Sequence, residues 1–366
     1  MMRPMTTDKA QPIWAIGLMS GTSFDGVDAA LIRTDGQQIF ERGEWLTIAY
    51  SDQFQHELAY AIQQSTDIMQ VTQKLTYLHA EAVQALLKKA GMQASEVGVI
   101  GFHGQTIDHQ PDDGMTWQIG DGALLAAMTG IDVVCDFRSR DVAEGGQGAP
   151  LVPLYHAALC KDLPKPVAIL NIGGVANVTW VDDDRSSPWL LGFDTGPGNA
   201  LINDMMKRTM GEMFDRNGQM AESGNVDKTA LDGYLYDTWF ATPPPKSLDR
   251  DDFGIAPVLH LVPENAVATL SELTVQGIVK ARQFMPIDPQ QWIVCGGGRH
   301  NSYLMRRLKE LLGNVVNADT LGWEGDALEA QAFGYLAVRS LRNLPLTLPS
   351  LTGVRRPVSG GAFYRA

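Results

Sequence analysis

The stretch Gly17–Ile32, "GLMSGTSFDGVDAALI", decides how the rest of the chain is read. Two apolar, β-rich runs, "IWAIGLM" and "VDAALI", flank a turn of small and hydroxyl residues, and "WLTIAY" follows as a third strand candidate. This predicts an antiparallel meander, an unusual opening for a doubly wound α/β chain. The turn also carries two carboxylates, Asp25 and Asp28, that neither strand needs. A Gly, Ser and Thr turn lets backbone N–H groups and hydroxyls approach a polyphosphate where a bulky Cβ would block it. It is not a P-loop, which needs a lysine after the glycine, and no G-x-G-x-x-G opens a helix.

Working outward, Asp52 is placed to cap a helix over "QFQHELAYAIQQ". A second helix, "TQKLTYLHAEAVQALLKKAG", ends at Lys88, Lys89 and Gly91. "VGVIGFHG", "TWQIGDGALLAAMTG" and "IDVVCDF" continue as strand, strand–helix and strand, and "RSRDVAEGGQGAP" is expected to be a long polar connection. The opening pattern then recurs: "PVAILNIGGVANVTWV" sets Gly173 and Gly174 between two strands, and "LLGFDTGPGNALINDMMKR" runs from a strand through glycines into a helix. A third cluster, Gly296 to Gly298, ends the strand "WIVC", where backbone can lie against a flat ring. "TPPPKSLDRDDFG" has the composition of a surface loop. Alternating strands and helices, with the meander repeated in each half, predict an α/β protein of two domains.

Composition narrows the partners. Among 366 residues, 45% are hydrophobic and 19% charged, enough to bury a sizeable core. A net charge of −13 argues against a nucleic-acid partner, since phosphate backbones reward clustered Lys and Arg. Cys135, Cys160 and Cys295 are scattered, with no C-x-x-C pair, as in a reducing compartment. "MMRPMTTDKAQP" lacks a signal-peptide core and no run of about 18 apolar residues follows, so a cytoplasmic protein with no membrane partner is expected.

Several blocks together carry a resemblance: "GLMSGTSFDGVDAAL", "GFHGQT", "WQIGDGALLA", "DFRSRDVAEGGQGAPLVP", "LNIGGVANVT", "GFDTGPGNALIND", "VCGGGRHN" and "DALEA". From about Ile13 to Leu341 the chain resembles the 1,6-anhydro-N-acetylmuramic acid kinases. The resemblance implies two ribonuclease H-like domains of the acetate kinase, sugar kinase, Hsp70 and actin superfamily, with a nucleotide-binding cleft between them. The expected division is 12–134 plus 342–366 against 135–341. It further implies that ATP, with Mg²⁺, phosphorylates an anhydro amino sugar in peptidoglycan recycling. Water opens the 1,6 bridge and the six-position oxygen takes the γ-phosphoryl group. The expected partners are that small-molecule sugar and a second copy of the chain.

Site residues follow on the matching positions. Asp194 in "GFDTGPGN" matches the family's catalytic aspartate, and the alternative role, a cap for the helix near Asn199, is awkward across Gly-Pro-Gly. Gly21, Thr22, Ser23, Phe24, Asp25, Gly26, Val27 and Asp28 would hold the phosphates, and Gly173, Gly174, Gly296, Gly297 and Gly298 the rest of the nucleotide. His103, Arg140 and Glu329 are the sugar-binding candidates, with Arg138 beside Arg140 and Asp326 expected one helical turn from Glu329. The superfamily's acidic residue at the start of the first turn is replaced here by Met19 and Ser20, which leaves the metal ligands open. Two other readings stand beside this one. The first is a sugar or acetate kinase acting on a free hydroxyl, which ADP release with ordinary amino sugars would mark. The second is an ATP-driven Hsp70- or actin-like binding module, which slow ATP turnover without sugar would mark.

Overall fold

The computed structural model describes residues 11–21, 24–64, 66–183 and 189–366. The chain folds into two compact units, and it crosses between them at Gly148/Ala149, Leu328/Glu329, Leu348/Pro349 and Val354/Arg355.

The first unit begins with β1 (Ile13–Met19), β2 (Gly26–Thr34) and β3 (Ile39–Ala49), followed by β4 (Val97–Phe102), β5 (Gln105–Gln110), β6 (Met115–Ile119) and β7 (Val133–Cys135). The main sheet runs β3-β2-β1-β4-β7 and ends on the strand Ala362–Tyr364, while β5 and β6 form a separate hairpin. β1, β2 and β3 are antiparallel, as expected for the meander, and β4 and β7 add in parallel. Side chains alternate across β1 and β4. Ile16, Leu18, Ile100 and Phe102 face the helices Asp52–Gln64 and Ile68–Ala90, where they share a core with Leu58, Leu75 and Val83. On the opposite face Gly17 and Gly101 stand in register on neighbouring strands. A Cβ there would come within 1.7 Å of the Ala330 carbonyl oxygen and 2.0 Å of the Phe333 carbonyl oxygen. The two glycines therefore make a flat seat for the helix Leu328–Leu341.

The second unit repeats this order. Its sheet runs β10-β9-β8-β11-β12, built from β8 (Val167–Ile172), β9 (Val175–Val181), β10 (Leu190–Pro197), β11 (Gln291–Cys295) and β12 (Val315–Asn317). Three antiparallel strands are again extended by two parallel ones. The helix Pro263–Ala281 buries Val267, Leu270, Leu273 and Ile278 in a core with Leu170, Ile172 and Val178. A third–second–first–fourth–fifth strand order in both units is the ribonuclease H-like arrangement, so the chain is an α/β protein of two such units.

Some local expectations shift. Ser51, rather than Asp52, caps the first helix, its hydroxyl accepting from Phe54 N–H at 3.2 Å. The polar connection after β7 contains a short helix, Ser139–Ala143, closed by Asp141, whose carboxylate accepts from Gly148 N–H at 2.7 Å and from the Thr347 hydroxyl. These contacts, and the glycine seat under Leu328–Leu341, keep 135–148 and the helix from Glu329 with the first unit, against divisions expected at 134/135 and 341/342. Among the described residues no helix is long and apolar enough to cross a membrane.

Candidate active site

In the first unit the β1–β2 hairpin presents Gly21 and Phe24–Asp28, while Thr22 and Ser23 lie outside the described residues. The turn is closed by Phe24 N–H donating to the Gly21 carbonyl at 3.2 Å, with Phe24 in the left-handed region at φ 55°. Beneath it, the buried Ser20 hydroxyl donates to Gln105 Oε1 at 2.7 Å and lies 2.8 Å from the Tyr50 hydroxyl. Burial, with the charges of Asp25 and Asp28 nearby, raises the Tyr50 pKa well above its ordinary value, so the phenol stays neutral. Asp25 is exposed, Asp28 is half-buried and accepts from the Thr47 hydroxyl, and Gly26 and Val27 are buried in β2. Ser20 is thus committed to the hairpin's support.

His103, at the end of β4, is 4% exposed and bonded at both ring nitrogens. Its Nδ1 faces the Gly104 carbonyl at 2.9 Å, and a carbonyl only accepts, so Nδ1 carries the proton. Nε2 then accepts from Arg138 Nη2 at 3.0 Å, and Arg138 Nη1 donates to the Gly148 carbonyl at 2.7 Å. Burial first, and the Arg138 charge second, lower the His103 pKa to about 3. A neutral imidazole that orients an arginine results. Arg140 is exposed, and its side chain makes no hydrogen bond or ion pair among the described residues. Glu329 is half-buried in the first turn of its helix. Asp326 lies before that helix begins and is held by Arg299 at 2.6 Å, so the two carboxylates do not share one helix face as expected.

His103 shares its condition with His79 and His156, whose pKa values burial lowers to about 4 and about 3. Each is neutral when folded and takes up a proton on unfolding below its ordinary value of about 6.5. Their contribution to stability is therefore whole above pH 6.5 and drains as the pH falls from there towards 4 to 3, each at about 1.4 kcal/mol per pH unit. Urea unfolding midpoints measured from pH 7 to pH 4.5 should fall steeply, and His156→Gln should flatten that fall by about a third. A midpoint unchanged between pH 6.5 and 5 would contradict this.

The second unit brings its candidates together around β8–β10. Gly198 N–H and Ala200 N–H donate to the Gly174 carbonyl at 2.8 and 3.1 Å, and Asn199 N–H to the Gly173 carbonyl at 2.7 Å. The glycine hairpin is thereby tied to the start of the helix Ala200–Met210. The Asn199 amide also donates to the Ile172 carbonyl at 3.0 Å. The five glycines divide by what surrounds them. A Cβ on Gly173 would meet nothing nearer than 3.5 Å, on Gly174 nothing nearer than 3.8 Å, and on Gly297 nothing nearer than 3.9 Å. Gly298, by contrast, would strike the Ile172 side chain at 2.4 Å, and Gly296, at φ 72°, would strike Asn171 Oδ1 at 2.2 Å. At three of these glycines a Cβ would sit in ordinary contact with its neighbours, and two are required by packing.

Asp194 sits at an irregularity between β10 and β9, where the register shifts between Asp194 and Gly196. Its N–H donates to the Lys246 carbonyl at 3.2 Å, and its Oδ2 accepts from Leu248 N–H at 2.8 Å. The carboxylate is thus turned towards the 246–248 segment and does not cap the helix at Ala200, whose cap residue Asn199 makes no side-chain cap bond. Sequence reasoning missed this partner segment. A lysine after three prolines reads as surface, and only the nearby aromatic pair Trp239–Phe240 hints at burial. No group of three or more His, Cys, Asp or Glu side chains able to hold a metal occurs among the described residues.

Two ribonuclease H-like units, each opening on a glycine hairpin, are the frame of the sugar kinase, Hsp70 and actin superfamily. The family model for anhydro-N-acetylmuramic acid kinase matches residues 13–366. The chain is 48% identical over 360 residues to the anhydro-N-acetylmuramic acid kinase of Rhodospirillum rubrum, covering 97% of this chain and 95% of the relative. It is 48% identical to those of Paramagnetospirillum magneticum, covering 96% and 99%, and of Gluconobacter oxydans, covering 95% and 99%. The chain belongs to the anhydro-N-acetylmuramic acid kinase family and is a phosphotransferase.

Proposed function

We propose that this kinase opens 1,6-anhydro-N-acetylmuramic acid with water and phosphorylates its six-position oxygen from ATP. The products are N-acetylmuramic acid 6-phosphate and ADP. The observation that carries the reading is Asp194, a carboxylate fixed at its backbone and at one oxygen, in the unit that also carries glycines 173, 174 and 297, none of which packing requires. Asp194 takes a proton from water as the water oxygen bonds to the anomeric carbon and the bond from that carbon to the bridge oxygen breaks. The freed oxygen accepts the γ-phosphoryl group, and the proton passes from Asp194 to solvent. Gly21 to Asp28, with Thr22 and Ser23 among them, would cradle the phosphates. Gly173, Gly174 and Gly297 would lie against the nucleotide, with Gly296 and Gly298 shaping that strand end. Arg140 and Glu329, and Arg138 oriented by His103, would hold the sugar's carboxylate and hydroxyls.

A magnesium ion bound to ATP keeps most of its waters and needs only one or two protein carboxylates. Asp25 and Asp28 on the hairpin fit that need, whereas Ser20 is already bonded to its neighbours. The ion would neutralise charge on the transferring phosphate. We place the enzyme in the cytoplasm as a homodimer without a nucleic-acid partner, the last in keeping with its net charge of −13.

Turnover in heavy-oxygen water tests the reaction. The label is expected on the anomeric hydroxyl of the product and nowhere in the phosphate ester, because the bridge oxygen stays on the six-position carbon. A product that retains its bridge, or label released as free phosphate, would replace this reading with an ordinary kinase or an ATPase.

A further inference from the structure

The ammonium of Lys246 is among the buried charges of the second unit, with the residue 9% exposed. Its Nζ stands 4.1 Å from the centre of the Trp239 ring and 4.8 Å from that of Phe284, and it donates to the Trp239 carbonyl at 3.1 Å. The same tryptophan holds the next residue, its indole N–H donating to the Ser247 carbonyl at 3.2 Å. Lys246 and Ser247 are thus both pinned to Trp239. The segment so fixed contacts Asp194 at two points, the Lys246 carbonyl accepting from its backbone N–H and Leu248 N–H donating to its carboxylate. A desolvated cation on an aromatic face is held more strongly than an exposed one, so the anchor is rigid where aim matters.

We propose that Lys246 is a positioning residue for Asp194, its ammonium lodged on Trp239 so that Leu248 N–H holds the carboxylate in its working orientation. The inference rests on the reading of Asp194 as the group that activates water. Burial lowers the Lys246 pKa to about 8 while the Asp194 charge opposes that fall, which keeps the cation in place at neutral pH.

Lys246→Met keeps the stem and removes the cation and donor, so kcat should fall by roughly tenfold or more, with KM for ATP changed by less than about threefold. Lys246→Arg, which keeps a cation for the ring, should recover most of the loss. In the Asp194→Asn background, Lys246→Met should cost little more, because the group it positions is already gone. If Asp194→Asn alone turns over normally, the reading of Asp194 fails and this inference with it. If Asp194→Asn is impaired but Lys246→Met is not, or if the two losses multiply in full, only the role of Lys246 is overturned. Should Lys246→Met fail to fold, Trp239→Leu replaces it, since it removes both the ring under the ammonium and the donor to Ser247. A kcat loss confined to that variant's chemistry supports the anchor, and normal turnover overturns it.

Discussion

Asp194→Asn is expected to lower turnover by roughly 10²–10⁴-fold, the range assigned to general base catalysis. The amide keeps the size of the carboxylate and retains an oxygen to accept from Leu248 N–H, which Asp194 Oδ2 now does at 2.8 Å. It cannot take a proton from water. Because the glycines proposed to meet the nucleotide, 173, 174 and 297, are untouched, ATP affinity measured by calorimetry should stay within about threefold of the parent, as expected when an interaction confined to the transition state is removed. Near-normal sugar phosphorylation by the variant would remove Asp194 from the role. A loss of ATP affinity as large as the loss of turnover would make it a nucleotide ligand instead.

The second large effect is on folding. Gly17→Ala would place a methyl group 1.7 Å from the Ala330 carbonyl oxygen, in a backbone that cannot swing aside without moving the whole helix Leu328–Leu341. A cost of about 4 kcal/mol or more is expected, the range reached when a core is forced apart. Gly98→Ala, in the next strand, meets only the flexible end of Ile13 at 2.9 Å and should cost less than about 1 kcal/mol. Paired urea melts of the two variants check this, and equal midpoints would mean that the helix yields to the added methyl.

Both effects trace to features that were unevenly visible along the chain. The two meanders were legible, because "IWAIGLM" and "PVAILNI" are β-branched runs broken by glycine turns, and they fold as β1 and β8 with hairpins after them. The helix Ile68–Ala90 was equally plain, down to its stop at Gly91 in the left-handed region with φ 66°. What sequence could not supply was the second partner of each residue. Gly17 reads as one more residue of an apolar strand until a helix some three hundred positions on is laid against it. His103 looks like a ligand until Arg138 is found on its Nε2. Lys246 looks solvated until Trp239 and Phe284 close over it. Local pattern reports which face a strand buries, whereas pairing between distant segments is decided by packing. The same applies to the glycines at 296–298, alike in sequence, of which Gly297 alone could take a Cβ without a close clash.

The interleaving of the chain between its units sets a timetable for synthesis. The sheet that begins at Ile13 receives its edge strand only when Ala362–Tyr364 pairs with β7, and its glycine seat is covered only when the helix Leu328–Leu341 has been made. Roughly 200 residues separate β7 from the helix Leu328–Leu341 and the strand Ala362–Tyr364, which at ribosomal rates of about 5–20 residues per second is a wait of roughly 10–40 s. Meanwhile the nascent first unit carries an open β7 edge and an uncovered groove at Gly17 and Gly101, the kind of surface on which unfinished sheets join one another. Nearly all of the second unit leaves the ribosome within that interval, so the later-made half is able to fold before the earlier-made half is complete.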